Sequence, residues 1–133
     1  MSQELTLIFF KPDAVEKNIV FETVKRFEEA GLKVVSFKFD KITNMQFDEH
    51  YGHVAGKFFY EDMRKFITSN KLTFIVLKGE NAIQRVRDMI GLTLNAPLGT
   101  IRGDYGSDGF HNLIHASDSY ESAIKEIARF FYS

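Results

Sequence analysis

Apolar and polar positions along this chain switch between two periods, and each switch marks an element. Leu5 to Phe10 is an apolar run rich in strand formers that stops before Pro12, as a buried central strand would. Lys11-Pro12-Asp13-Ala14 then opens a loop. From about Ile19 to Ala30, Val20, Val24 and Phe27 follow a helical period, and Gly31 is a natural C-cap. Between Lys33 and Lys41, Val35, Phe37 and Phe39 alternate with Ser36, Lys38 and Asp40, which predicts a one-sided strand. Thr43 and Gln46 form a capping box for a short helix toward Tyr51. A second helix covers Phe58 to about Thr68, with Phe59, Met63, Phe66 and Ile67 on its apolar side. Leu72 to Leu77 is a third strand, and Asn81 caps a helix through Ile90 that carries Ile83, Val86 and Ile90 inward. Gly91 to His111 reads as a long loop containing Gly99, Gly103, Gly106 and Gly109; loops of such length are usually functional or disordered. Leu113 and Ile114 form a short buried strand. Ser117, Asp118 and Ser119 are candidate N-caps for a last helix with Ala123, Ile124, Ile127, Ala128 and Phe131 at helical spacing.

With the helical pair at 44–68 set aside as an insertion, the order is βαβ–βαβ–α. That is the ferredoxin-like split βαβ pattern of an α+β protein. It predicts a four-stranded antiparallel sheet with helices packed on a face, an inserted helical pair and a C-terminal helix. The length, 133 residues, suits one domain over 1–133, and 44% apolar residues can build a core. A net charge of −1 gives no general polyanion-binding surface, so nucleic acid is not an expected partner. The lack of cysteine excludes a disulfide framework and a thiol nucleophile. No basic segment followed by an apolar run opens the chain, and no stretch approaches a membrane span, so a cytoplasmic protein without a membrane partner is expected.

The chemistry concentrates in Asn112-Leu113-Ile114-His115-Ala116-Ser117-Asp118-Ser119. His115 stands where a strand ends and a helix is about to begin. Free backbone N–H groups at such a junction attract anions, so an imidazole there could meet a phosphate. A satisfied strand-end histidine has the same local pattern. The sequence lacks both the P-loop pattern G-x-x-x-x-G-K-(S/T) and the protein-kinase signatures, so phosphate would have to be gripped by placed cations. Lys11, Arg87 and Arg102 are candidates, although each alone also reads as a solvated charge. His111 and His115, or His50 and His53, could suggest a metal, but two histidines without further ligands on one face do not make a site.

The stretch at 112–119 resembles the active-site signature N-x-x-H-(G/A)-S-D-S of nucleoside diphosphate kinases, and matching stretches run along nearly the whole chain. Lys11-Pro12-Asp13-Ala14 is similar to that family's K-P-D-(A/G) segment. Gly99-Thr100-Ile101-Arg102-Gly103-Asp104 is similar to its P-G-T-I-R-(G/A)-D, with Leu98 in place of the proline. The resemblance implies the ferredoxin-like fold and a ping-pong phosphoryl transfer from nucleoside triphosphates to nucleoside diphosphates through a phosphohistidine at His115. It implies that Lys11, Arg87, Thr93 and Arg102 bind phosphate, that Asn112 binds the sugar, and that Tyr51 lies near the phosphates and histidine. Phe59 would stack on the base with Met63 on its other side. From spacing alone those two, four apart, are core packing. Glu126 would fix the tautomer of His115, with Ser117 supporting it, whereas Glu121 reads as a solvated carboxylate. Mg²⁺ is the implied cofactor, carried on the nucleotide phosphates with no direct protein ligand. A nucleotide-binding regulatory module without kinase activity is the rival on the same fold; the presence of His115 and its cations favours the enzyme.

The resemblance implies a homo-oligomer, with a hexamer favoured over a tetramer. In one place the chain departs from the pattern. The segment Thr93-Leu94-Asn95-Ala96-Pro97-Leu98-Gly99 is shorter than the family's by about two residues, in a loop used for subunit contacts. The ending Phe131-Tyr132-Ser133 lacks the longer tail of many eukaryotic members, which makes the chain bacterial-like.

Overall fold

The computed structural model describes residues 3–106 and 111–132. Gly109 of the long loop, Met1, Ser2 and Ser133 lie outside them. Four strands form one antiparallel sheet: β1 (Gln3–Phe10), β2 (Lys33–Asp40), β3 (Leu72–Glu80) and β4 (Ile114–Ala116), in the order β2-β3-β1-β4. The helices are α1 (Pro12–Glu16), α2 (Val20–Glu29), α3 (Asn44–Tyr51), α4 (Tyr60–Thr68), α5 (Ala82–Ile90), α6 (Ile101–Tyr105) and α7 (Tyr120–Phe131). This is the ferredoxin-like α+β arrangement, with α3 and α4 as the inserted pair.

Helices cover both faces of the sheet rather than one. Ile8, Phe10, Ile75 and Leu77 pack with Phe27 of α2 and Val86 and Ile90 of α5. Leu7, Phe9, Leu72 and Phe74 pack with Phe47 of α3, Met63 and Ile67 of α4 and Phe130 of α7. Alternate residues of β1 enter opposite cores, which is why its run is continuously apolar. Each fully buried Phe there contributes about 1.5–3 kcal/mol of transfer free energy.

Several local signals are realised directly. The Thr43 Oγ1 accepts from Gln46 N at 3.0 Å, and Gln46 Oε1 accepts from Thr43 N at 2.9 Å, completing the capping box. Ser119 is the N-cap of α7, accepting from Ser122 N. Asn81 occupies the N-cap of α5 in a left-handed conformation without a side-chain cap; Glu4 of β1 supplies the acceptor, for Ile83 N.

Other expectations are corrected. Lys11 to Ala14 is not a loop, because Pro12 begins α1, where its fixed φ suits a first helical turn and its missing N–H costs nothing. The loop from Gly91 to His111 contains α6, capped by Thr100, whose Oγ1 accepts from Gly103 N. One and a half turns are too short for a periodic signal. Gly103 is required there, since a Cβ would sit 1.9 Å from the Pro97 carbonyl oxygen. In β2 the apolar row points outward: Val35, Phe37 and Phe39 are 43%, 74% and 59% exposed. An irregularity between Val34 and Ser36 shifts the register, and β2 is the sheet edge, with a strand on one side only. On α7, Ile124 is exposed and Glu126 buried, so the inward face is rotated toward a carboxylate that an apolar count passes over.

Candidate active site

β4 comprises Ile114, His115 and Ala116, so His115 is the centre of the strand and not its exit. Ile114 and Ala116 enter the core beneath α5, and the pleat turns His115 to the opposite face, where α7 lies. There its ring stacks on its cross-strand partner Phe9, with centroids 4.9 Å apart and planes at 28°. Leu113, just before the strand, has φ +73°, and Ile114 N donates to Asn112 O across it at 2.8 Å. This γ-turn strains a bulky residue. Asp13 holds it in place, its Oδ2 accepting from Leu113 N at 2.8 Å.

The imidazole is oriented through one nitrogen. Its Nε2 is 2.9 Å from Glu126 Oε1, and Ser117 Oγ donates to the same oxygen at 2.6 Å. Glu126 has only carboxylate acceptors to offer, so Nε2 carries a proton, and in the neutral ring the lone pair is on Nδ1. His115 retains 20% of its side-chain exposure, in a cleft of about 1220 Å³. A neutral imidazole with a lone pair open to a cleft can act as a nucleophile.

Cations surround it. Lys11 caps β1, and its buried Nζ donates to Asn112 Oδ1 at 2.5 Å. Burial, and then the nearby Arg102 charge, lower its pKa to about 8. The guanidinium of Arg102 is spread across three carbonyls, Asn112 O at 3.1 Å, Gly91 O at 2.9 Å and Ile114 O at 2.7 Å. Burial, then Arg87, lowers the Arg102 pKa to about 10. Arg87 is exposed on α5 and reaches Ala116 O at 3.5 Å. The Tyr51 hydroxyl is buried with no hydrogen-bond partner among the described residues, and burial pushes its pKa up. Three cations and an orphan hydroxyl around a nucleophile are suited to a group carrying several negative oxygens.

Of the residues singled out from sequence, Lys11, Tyr51, Phe59, Met63, Arg87, Thr93, Arg102, Asn112, His115 and Glu126 all line this cleft. Ser117 stands behind Glu126, fully buried, with its N–H on Leu7 O. Phe59 is half-buried at the start of α4; Met63 is 3% exposed and belongs mainly to the core beneath. Thr93 is exposed on the rim. Two further residues belong here that the sequence does not assign to this site: His50 enters its reading only as a metal candidate beside His53, and Arg129 not at all. His50, buried at the end of α3, accepts at Nδ1 from Arg129 Nη1 of α7, and its ring meets that of His115. The three-residue spacing of Glu126 and Arg129 on one helix was the available signal, but without the partner elements it is a pair of surface charges.

His50, His115 and Glu126 bring ligand-type atoms within 4.8 Å of one another. With Arg129 donating into His50 and His115 bonded to Glu126, the group is a satisfied network beside a fixed cation, which repels a metal ion. His111 packs on the Phe66 ring, and neither it nor His53 joins a metal-type cluster among the described residues.

Fold and cleft together are those of a phosphotransferase. The nucleoside diphosphate kinase family model matches residues 4–133. A nucleoside diphosphate kinase of Acetivibrio thermocellus is 47% identical over 130 residues, covering 96% of both chains. One of Methanococcus maripaludis is 45% identical, covering 96% of this chain and 98% of its own. The solved structure of the Halobacterium salinarum nucleoside diphosphate kinase in complex with CDP has a TM-score of 0.92 at 40% identity, covering 99% of this chain and 90% of that one. The chain therefore belongs to the nucleoside diphosphate kinase family. It is an enzyme that transfers the γ-phosphoryl group of a nucleoside triphosphate to a nucleoside diphosphate. Among the described residues no helix is long and apolar enough to cross a membrane.

Proposed function

We propose that the transfer runs in two half-reactions through Nδ1 of His115. In the first, the Nδ1 lone pair attacks the γ-phosphorus. The N–P bond forms, the bond to the β–γ bridging oxygen breaks, and the diphosphate leaves with that electron pair. In the second, a terminal β-phosphate oxygen of an incoming diphosphate attacks the phosphorus and the pair returns to Nδ1. The Nε2–H stays on Glu126 Oε1 throughout, and Glu126 offsets the charge that develops on the ring as the bond forms. That single contact carries the reading, since it leaves Nδ1 as the nucleophilic nitrogen.

Lys11, Arg87, Arg102 and Thr93 bind the phosphates, Tyr51 donates its hydroxyl near them, and Asn112 shares the sugar with Lys11. Phe59 stacks on the base, reading its face rather than its edge, which suits a site open to every nucleotide. Met63 closes the pocket beneath. Mg²⁺ carried on the nucleotide phosphates would neutralise part of their charge, with no protein side chain required to hold it. In support, the cleft carboxylates are engaged elsewhere: Glu126 with His115, Glu49 with Arg129, Asp88 with Gln84 and Asp118 with Ser122. The CDP bound by the Halobacterium relative supports a nucleotide in this cleft.

We further propose a cytoplasmic single-domain protein over 1–133 that assembles as a homo-oligomer, a hexamer in preference to a tetramer. The outward row Val35, Phe37 and Phe39 supports self-association. The test of the mechanism is labelling with γ-labelled ATP followed by a chase with GDP or CDP. The wild type forms an acid-labile adduct that the chase discharges, and His115→Ala forms none while still binding nucleotide. Undiminished labelling of His115→Ala would remove His115 as the carrier.

A further inference from the structure

The two half-reactions make no use of His50, yet it is among the most constrained groups near the site. Its side chain is 4% exposed, and its Nδ1 lies 2.9 Å from Arg129 Nη1. A guanidinium can only donate, so Nδ1 of His50 holds the lone pair and Nε2 holds the proton. Its ring stands at 85° to the ring of His115, with centroids 4.4 Å apart. Phe9, which stacks on His115, also meets His50, at 5.6 Å. Tyr51 and Phe130 pack on it as well. The imidazole of His115 is thus set between aromatic neighbours whose own rings have little freedom.

The charges facing His50 come from every side. Arg129 and Glu126 approach from α7, His115 from β4, Lys11 from the end of β1, and His53 from the turn after α3. Burial first, then His115 and Arg129, push its pKa well below the ordinary histidine value. The nearby carboxylate is Glu126, whose Oε2 is 3.9 Å from His50 Nδ1. Its other oxygen serves His115. Two histidines therefore stand beside one carboxylate, and a proton on His50 Nδ1 would draw Glu126 away from His115.

We infer that Arg129 and His50 are positioning residues: Arg129 holds His50 as its neutral Nε2–H tautomer, and that ring, edge-on to His115, keeps Glu126 committed to His115. This rests on the reading of His115 as the phosphoryl carrier. Arg129 prevents the competition by occupying the one atom of His50 through which it could occur.

The experiment compares the pH profile of the phosphorylation half-reaction in the wild type, Arg129→Leu, Arg129→Lys and the double variant Arg129→Leu/His50→Phe. In Arg129→Leu the rate falls progressively below the wild type as the pH drops from about 8 to about 6, reaching about tenfold, the effect of moving an acid limb by about one unit. Lysine at 129, again a cationic donor, restores most of the loss. Removing His50 abolishes the added acid limb even though it removes packing, an outcome that a purely structural role would not produce. Nitrogen-15 spectra of the wild-type imidazoles show an unprotonated Nδ1 on His50 through the neutral range, a readout that needs no variant to fold. A wild-type profile shape in Arg129→Leu, an acid limb that survives in the double variant, or a protonated Nδ1 on His50 would each overturn the inference. If His115→Ala loses its label while one of those results is obtained, the carrier stands and the positioning pair falls.

Discussion

The two edges of the sheet use exposure in opposite ways. β4 is three residues long, and it buries polar groups: His115, Ser117 and Glu126 satisfy one another behind it. β2 is eight residues long, and it leaves three apolar side chains in solvent. At the first edge the burial orients a reactive nitrogen, with the strained Leu113 turn held by Asp13 from α1. At the second the row is only partly covered by its own chain, with Lys71 over the Phe39 ring, and its remaining apolar surface is available for association. Perturbing β4 should therefore damage chemistry before assembly, and perturbing β2 should damage assembly before chemistry.

The largest effect to expect lies on the β4 side. Arg102→Ala or Lys11→Ala should reduce phosphoryl transfer by about 10²–10³, as losses of aligned electrostatic groups commonly do. Lys65, exposed on α4, should cost almost nothing when replaced. Steady-state kinetics on the three variants decides it, and equal small losses would show that the cations are misassigned.

A smaller effect comes from pH. Because the Lys11 pKa is lowered to about 8, the folded chain binds fewer protons there than the unfolded one between about 8 and the ordinary lysine value. In that window the Lys11 contribution makes the fold more stable as pH rises, while phosphate binding loses its cation. Nucleotide affinity should fall by up to about tenfold per unit above pH 8 while the midpoint of unfolding does not fall with it. Titration calorimetry beside thermal melts separates the two, and Lys11→Arg, which stays charged, should flatten the affinity curve.

The smallest effect per chain tests the other edge. Phe37→Ser with Phe39→Ser should leave the single-turnover rate within twofold and lower the assembly state in sedimentation. Loss of labelling without loss of assembly would mean that β2 supports the site and not a subunit contact.

Much of this was legible in the chain. The continuous run from Leu5 to Phe10, the capping box at Thr43 and Gln46, and the periods of α2, α4 and α5 are local patterns, and local patterns report local conformation. The residues lining the cleft were legible too, because His115, Arg102 and Lys11 sit in short distinctive stretches. The short helices α1 and α6 were not, since neither is long enough to show a period. Nor was the direction in which β2 faces: alternation says that one side is apolar, but the edge position and the shifted register decide where that side points.

By itself, then, the sequence determined the order and type of the long elements and the stock of reactive groups. Only the tertiary structure decided that His115 points toward α7, that its Nε2 and not its Nδ1 is tied to Glu126, and that Arg129 and His50, 79 positions apart, share a hydrogen bond. The reason is that a side chain's role here depends on which atom of a distant partner it meets. That is set by sheet register and helix rotation, which sum packing over the whole core rather than over any one stretch.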